Sequence, residues 1–524
     1  MSDLCPFDVT PLATPRVINN LPVYSLNYTN QDYNSIKNRV IELLKTNYGE
    51  NFNDINEASL AMMLIECWAG MADMLSFKID QLANEFFIDT VTELENAFRI
   101  AKLVGYKPIP PLPAKAMFVA TVNHVYSQDL FLKTPITLDL EESGLDVTYE
   151  LFAADANNNP VFDTDIVIPA GSLFTEHIVG VEGITRTYSY KSDGRANQIF
   201  TLPNENAFFG SVRVVVNGLL WEQVEYFTES KQKPEYMLEY NAYYKPSIIF
   251  GDNKAGLIPT QSSDILVKFR VPTMMTAEII SGAFNEKAFT SLEGISDNIV
   301  VNLKNFTKSE HGYPGDSIND IRKKLPAYVR TQNRAVTGAD YKFLTDSFAS
   351  PYDGVIGKSS IVLRNHGCAG NIIDVIVLAK TGSHRLIKAS DTLKASLVEF
   401  LTNRKMFTDY LCVKDGAIVS ADIKINAFLN KNYKKFEREI KSKITEILEM
   451  YFDLSNWEFG QPLKEKDLIK YLSSVKEVKQ FDISFSTNLG VEYNSKGVEN
   501  VIPVKYNEVI RPDNIEINFS YGDE

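Results

Sequence analysis

Three short clusters hold the residue types from which catalytic or metal chemistry is built. His366-x-Cys368 offers two soft ligands. A zinc site needs two more at suitable spacing and partners to orient them. The other histidines, His124, His177, His311 and His384, are dispersed, so a Gly-rich hairpin tip is the expectation there. Glu141-Glu142, with Asp139 and Asp146 nearby, has the composition of a general acid/base pair. Adjacent carboxylates on an exposed loop do not drive one another's pKa apart usefully, and no aromatic sugar platform accompanies them. Pro512-Asp513-Asn514-Ile515-Glu516-Ile517-Asn518 echoes the acidic core of a nuclease. Asn518 stands where such a core needs a lysine, so the run reads as a strand of alternating polarity. No P-loop, dinucleotide fingerprint, H-E-x-x-H or nucleophile elbow occurs. The chain is therefore expected to be no enzyme, with no cofactor and no metal.

Bulk composition narrows the partners. The chain has 524 residues, is 44 % apolar and carries a net charge of −14, enough for roughly two to four globular domains. Phosphate binding needs a concentrated cationic face. Lys323-Lys324 and Lys434-Lys435 are short and diluted by acids, so nucleic acid is not expected as a partner. Cys5, Cys67, Cys368 and Cys412 show no C-x-x-C spacing, which suits a reducing compartment. The first residues lack a secretory pattern. Ala61 to Leu75 is interrupted by Glu66 and Asp73 and reads as too short and too polar to span a bilayer, so no membrane is expected.

The fold class expected is α+β and multidomain. Residues 1–31, rich in Pro, Asn and Tyr, read as an extended N-terminal arm. Residues 32–107 read as a helical hairpin or bundle segment. A helix from about Glu57 to Ile88 places Leu60, Leu64, Trp68, Met71, Leu75, Ile79, Leu82 and Phe86 at helical steps. Such a Met-rich stripe, joined to the rest only through Lys107–Ala114, is read as half of an intermolecular helical bundle, with packing inside its own domain as the other reading. A further helix, Thr92 to Val104, should stop at Gly105. Val/Ile/Thr/Tyr runs between turn clusters make 114–304 a β-rich domain, sandwich or irregular sheet. Residues 318–415 read as an α+β domain and 416–524 as a ferredoxin-like α+β module. Pro108–Pro113 and Gly312–Gly315, both between compact modules, are the expected hinges.

The run Arg330-Thr-Gln-Asn-Arg-Ala-Val-Thr-Gly-Ala-Asp-Tyr341 is a helix start. Thr337 and Asp340 have capping-box spacing, and Tyr341, Leu344 and Phe348 then share one face. The string, with Arg330, Asn333, Arg334, Thr337, Asp340 and Tyr341, resembles the central signature of the baseplate J-like wedge family of contractile-tailed phages, T-even-type members included. Ala58 to Pro108 is similar to that family's helical start, Ile168–Ser172 to its strand-turn element, and Phe459-Gly460-Gln461-Pro462-Leu463 to its C-terminal signature.

The resemblance implies a structural virion protein of the tail baseplate, assembled in the host cytoplasm. Family members form the inner baseplate ring, two copies per wedge. They join another wedge subunit through helical bundles onto which a small sheath-initiator protein clips, and they rearrange when the tail contracts. Carried onto this chain, the face from Leu60 to Phe86 is the bundle surface, and the region from about residue 331 supplies dimer and ring contacts. Two other readings stay open on the residues alone. One is a receptor-binding adhesin placed on the β-rich domain. The other is a tail-associated glycan-active enzyme resting on Glu141 and Glu142.

Overall fold

The computed structural model describes residues 32–48, 56, 59–142, 145–202, 206–227, 233–273, 279–290, 299–365, 371–380, 386–453, 457–487, 492–493 and 501–522. The expected arm 1–31 and the His366-x-Cys368 pair lie outside the described residues. The chain is α+β, with an N-terminal helical segment, a β-rich body and mixed modules after it.

The helical segment holds α1 (Tyr33–Tyr48), α2 (Leu60–Glu85) and α3 (Leu94–Leu103). Ser59 caps α2, its Oγ accepting the Met62 N–H at 3.2 Å. α3 ends as the sequence indicates: Gly105 takes φ 80° while the Tyr106 N–H reaches back to the Ala101 carbonyl at 3.0 Å.

In the β-rich body, six strands form an antiparallel path in the order Asn285–Thr290, Ile299–Asn305, Lys115–Val122, Phe174–Glu182, Leu145–Ala154 and Ile136–Glu142. Burial alternates along Lys115–Val122, sending Phe118 and its like into the core. Opposite it, Gly180 leaves the space that the Phe118 ring fills, since a Cβ there would lie 2.3 Å from that ring. Two four-stranded sheets from residues 184–271 sit between the halves of this path. They share one core, Val214, Ile265, Val267 and Phe269 meeting Tyr236, Ile248 and Phe250, so the sandwich expected for this region is present as an insertion. Arg270 locks it in place. Its guanidinium pairs with Glu150 at 2.6 Å and donates to the carbonyls of Val181, Glu182 and Gly183, all out of solvent. Those donations offset the cost of burying the pair.

α4 (Ile318–Thr331) and α5 (Gly338–Asp346) follow, then the hairpin Gly354–Asn365 and Asn371–Lys380, α6 (Asp391–Thr402) and Asp409–Asp415 parallel to Asn371–Lys380. The last module pairs Ala417–Asn430 with Val478–Thr487 and Glu508–Gly522, and packs α7 (Glu437–Tyr451) and α8 (Glu465–Leu472) on that sheet. These strand orders do not by themselves make ferredoxin-like modules.

Two expectations change. The sequence reading assigns no helix to 318–331, where α4 lies with Pro326 inside it; Pro326 lacks only one helical donor, and the Ser317–Asp320 capping box starts the helix regardless. The Pro-rich segment is also no free tether. Leu112 is fully buried and exchanges backbone hydrogen bonds with Tyr313, at 2.8 and 3.0 Å. The two segments expected to hinge are therefore bonded to each other.

Asp316 is the centre of this junction. Its carboxylate accepts from Lys324 at 2.6 Å, Tyr313 at 2.8 Å, the Ile109 N–H at 2.9 Å and Tyr106 at 3.0 Å. Its backbone carbonyl accepts from Tyr244 of the sandwich at 2.6 Å. Replacing Asp316 by Ala strands these donors out of water. Urea denaturation should show a loss of about 3–5 kcal/mol, with Asp316→Asn losing less.

His311 is buried beside Gly354 at φ 75°, and burial, reinforced by Lys115, holds its pKa down at about 4. The unfolded chain then binds the extra proton first, so stability is present above the unfolded pKa and lost as pH falls towards 4. Between about pH 7 and about pH 5 this group should remove about 2 kcal/mol. Urea midpoints of the protein and of His311→Asn, a residue that tolerates positive φ, should diverge by that amount over the interval.

Candidate assembly interface

The eight side chains singled out on α2 fall within an arc of about 100° at 3.6 residues per turn. Leu60, Leu64, Trp68, Met71, Leu75, Ile79, Leu82 and Phe86 are each between 49 and 77 % exposed. Met63 and Met74 widen the bare strip. The opposite side, with Met62, Ile65, Ala69, Asp80 and Asn84, is buried. α1 lies against this helix, and Lys37 pairs with Glu66 at 2.6 Å. Ala69, Asp80 and Asn84 thus share the inner side of α2 with Met62 and Ile65, while most of its large apolar side chains face outward. This inverts the usual arrangement of a helix in a lone globular domain.

Length and composition correct one expectation. α2 has 26 residues and an 18-residue window of mean hydropathy 1.4, so it is long and apolar enough to cross a membrane by those measures alone.

A carboxylate sets how α2 departs from the body. Glu85 accepts from the Thr92 N–H at 2.9 Å, the Glu93 N–H at 3.2 Å and Asn96 at 2.9 Å. It thereby serves orphan donors at the start of α3, whose own N-cap, Glu93, provides no side-chain bond. Those hydrogen bonds overcome the desolvation of Glu85 and hold its pKa below the usual value. α3 in turn packs on α4 through Ala97, Phe98, Ala101, Ile321 and Leu325. Arg322 of α4 donates to the carbonyls of Ile88 at 3.1 Å and Val91 at 2.6 Å.

The signature residues occupy the turn from α4 to α5. The capping box is formed: the Thr337 hydroxyl accepts the Asp340 N–H at 3.3 Å and Asp340 accepts the Thr337 N–H at 2.8 Å. Tyr341 is fully buried and donates to Asp409 at 2.8 Å. Asn333, at φ 59°, accepts from Arg404 at 2.8 Å. The two arginines stay at the surface. Arg330 approaches Asp340 only to 4.0 Å, and Arg334 donates to Gln332 at 3.1 Å.

Gly460 takes φ 70° and Gln461 accepts the Glu458 N–H at 3.3 Å, shaping the turn that aims Glu458. That carboxylate meets Lys342 of α5 at 2.5 Å and Lys358 at 3.1 Å. Burial would raise Glu458, but Lys358 and Lys342 outweigh it and hold its pKa down. Deeper in, burial keeps Asp346 above the usual carboxylate range although Lys342 and the Ser359 hydroxyl oppose it. Lys342 and Glu458, each adjacent to one signature segment, thus form with Lys358 a charged clamp joining α5 to the last module.

Sequence reasoning missed Asp316, Arg322, Lys342 and Glu458. The capping box and the stripe Ile318, Ile321, Leu325 and Tyr328 were visible signals for α4. Nothing local marks the partnership of Lys342 with Glu458, which lie 116 residues apart. Among the described residues no three His, Cys, Asp or Glu side chains converge where a metal could be held. Glu516 contacts Asn518 along its own strand at 3.3 Å.

A double-mutant cycle with Lys342→Ala and Glu458→Ala should give a coupling of about 1–2 kcal/mol in urea denaturation, solvent reaching the half-open carboxylate and moderating the value. Additive effects would mean that the clamp contributes nothing to joining the modules.

The comparisons with known proteins fall on the segment that carries the bare face. Residues 32–103, which hold α1 to α3, match the family described as bacteriophage baseplate protein, N-terminal domain. No curated protein matches the chain. A solved chain from the cryo-EM structure of the anti-feeding prophage (AFP) baseplate, 6-fold symmetrised, is 10 % identical over 91 % of this chain and 90 % of its own. Its TM-score of 0.34 is too low to carry an argument. The match over 32–103 supports reading the chain as a structural component of a tail baseplate, placed among other baseplate proteins.

Proposed function

We propose that this chain is a wedge subunit of a contractile-tail baseplate, one that joins its neighbours through a helical bundle built on the outward face of α2. The observation that carries the proposal is the single bare arc from Leu60 to Phe86, lying inside the matched segment. An apolar strip of that size on a 26-residue helix is a surface for another protein. Helices of a partner would bury it as ridges enter grooves, with Trp68, Phe86 and the methionines filling the contact.

Within that reading, the partners are a second copy of this chain, other wedge subunits and a small sheath-initiator protein. The chain acts as a load-bearing joint with no chemical step. The route runs from α2 through the Glu85 turn to α3 and α4, then along α5 to the Glu458 clamp. Rearrangement on contraction moves bundle against ring through those contacts.

The test is mass photometry of the full-length chain mixed with candidate wedge neighbours and sheath initiator. The wild-type chain should build a discrete hetero-complex. The variant Leu64→Glu/Trp68→Glu/Leu75→Glu, whose changes all point outward, should keep its circular dichroism and lose affinity about 100-fold or more. A wild-type chain that ignores every structural partner sinks the proposal. So does one that instead floats with neutral phosphatidylcholine vesicles, which would assign α2 to a bilayer.

A further inference from the structure

The strand Glu508–Gly522 is 15 residues long and pairs in parallel with Ala417–Asn430. Among the described residues nothing pairs with its other side, since the sheet order ends on it. A free edge of that length is a template for another strand, and proteins usually blunt such edges with proline, bulges and charge. Here the blunting stands at one end only. Register shifts between Ala421 and Asp422, whose partners are Pro512 and Asn514, so Asp513 is bulged out, paired with Arg511 at 2.8 Å. From Asn514 to Gly522 the edge runs on for about 30 Å with regular pairing, and Glu516 is the one charged residue in that stretch.

The side chains of this stretch form two unlike rows. Ile515, Ile517, Phe519 and Tyr521 pack against the core of the last module yet remain half-buried. Asn514, Glu516 and Asn518 lie on the opposite row and are exposed, with Ser520 half-exposed.

We infer that this edge pairs with the same edge of a second copy, antiparallel, about a two-fold axis at Asn518. This register overlaps the whole regular stretch, setting Asn514 opposite Gly522. It places Ile517 opposite Phe519 and Ile515 opposite Tyr521, the β-branched and aromatic combinations that pair well across antiparallel strands. Glu516 falls opposite Ser520, so no like charges meet. The same surface is used by both copies, which closes the contact as a dimer. The pairing deepens the wedge reading by naming a self-contact, and it rests on the strand itself rather than on α2. One strand addition buries less than a standard interface, so the dimer is a weak one, with a Kd on the order of 10 µM.

Sedimentation of the full chain tests this with two outward substitutions of opposite effect. Ser520→Lys sets a lysine opposite Glu516 twice over and should tighten the dimer about fivefold; Asn518→Lys sets lysine against lysine at the axis and should weaken it about tenfold. High salt should cancel most of the gain from Ser520→Lys. The α2 variant Leu64→Glu/Trp68→Glu/Leu75→Glu should dimerise as the wild type does, which separates this pairing from the bundle. Tightening by Ser520→Lys cannot come from misfolding, so the test survives even if Asn518→Lys unfolds. The inference is overturned by a chain that stays monomeric to about 100 µM. It is equally overturned by a dimer that neither substitution shifts, or by one lost through the α2 changes alone. Tightening by Asn518→Lys would also overturn it, because lysine would then face Glu516 in a register two residues off, about an axis at Ile517.

Discussion

The Asp316 carboxylate is the interaction on which the arrangement of this molecule depends. A buried carboxylate is tolerated only when enough donors replace the water it has lost. Asp316 gains four, from the segment after α3, the loop before α4 and α4 itself, and its backbone carbonyl takes a fifth from the sandwich. The donors come from parts of the chain more than two hundred residues apart. Tyr106, Ile109 and Tyr244 find their acceptor only when the segment after α3 and the sandwich are docked on the loop before α4. Burial, with the nearby Asp316 charge, pushes the phenols of Tyr106, Tyr244 and Tyr313 well above their usual range, so they remain donors throughout the physiological range. The junction ties the segment after α3 to the sandwich and to α4.

The same rigidity explains the asymmetry of the N-terminal segment. α3 is held from three directions: Arg322 binds the carbonyls just before it, Tyr328 binds the Gly105 carbonyl just after it, and Phe98 packs edge-on against Tyr244 at 5.5 Å. α2 is fixed chiefly at its end, by Glu85 and by the Thr90 hydroxyl on the Asn84 carbonyl at 2.6 Å. The turn at Glu85 is thus the contact through which α2 meets α3, and through α3 the helix α4. From α4 the contacts continue through the loop that Asn333 and Arg404 tie together, into α5, and across Lys342 to Glu458. Under the role proposed above, movement of the bundle would reach the last module along this continuous path.

Much of this was legible in the sequence where the signal is local. The α2 stripe, the Gly105 stop and the Thr337–Asp340 cap each depend on residues three to five positions apart, and each is where the spacing puts it. Signals failed where one residue type has two meanings. Pro326 does not break α4, because it rides on the exposed side of the helix. The prolines of 108–113 read as a stiff linker and hinge, but the segment is packed against Tyr313 and Val355 through Leu112 and Ile109. Partnerships across the chain, Lys342 with Glu458 and Arg270 with Glu150, have no local signature, because a surface lysine and a clamp lysine are spelled alike.

The bare face of α2 separates a protein partner from a bilayer more sharply than hydropathy does. Apolar burial contributes roughly 25 cal/mol for each Å² removed from water, whichever environment removes it, so the stripe alone favours both. The other residues of the helix decide between them. Lys78 lies inside the bare arc, and Asp73, Asp80 and Glu66 lie on the side turned to the chain, with Lys37 of α1 held on Glu66. A bilayer would surround the helix, and would have to strip α1 away or take the Lys37–Glu66 pair and two further carboxylates into hydrocarbon, at a few kcal/mol for each charge. A helical bundle covers one side only. It leaves α1 where it is, lets Lys78 extend its head to the rim, and removes from water the arc that the chain itself leaves open.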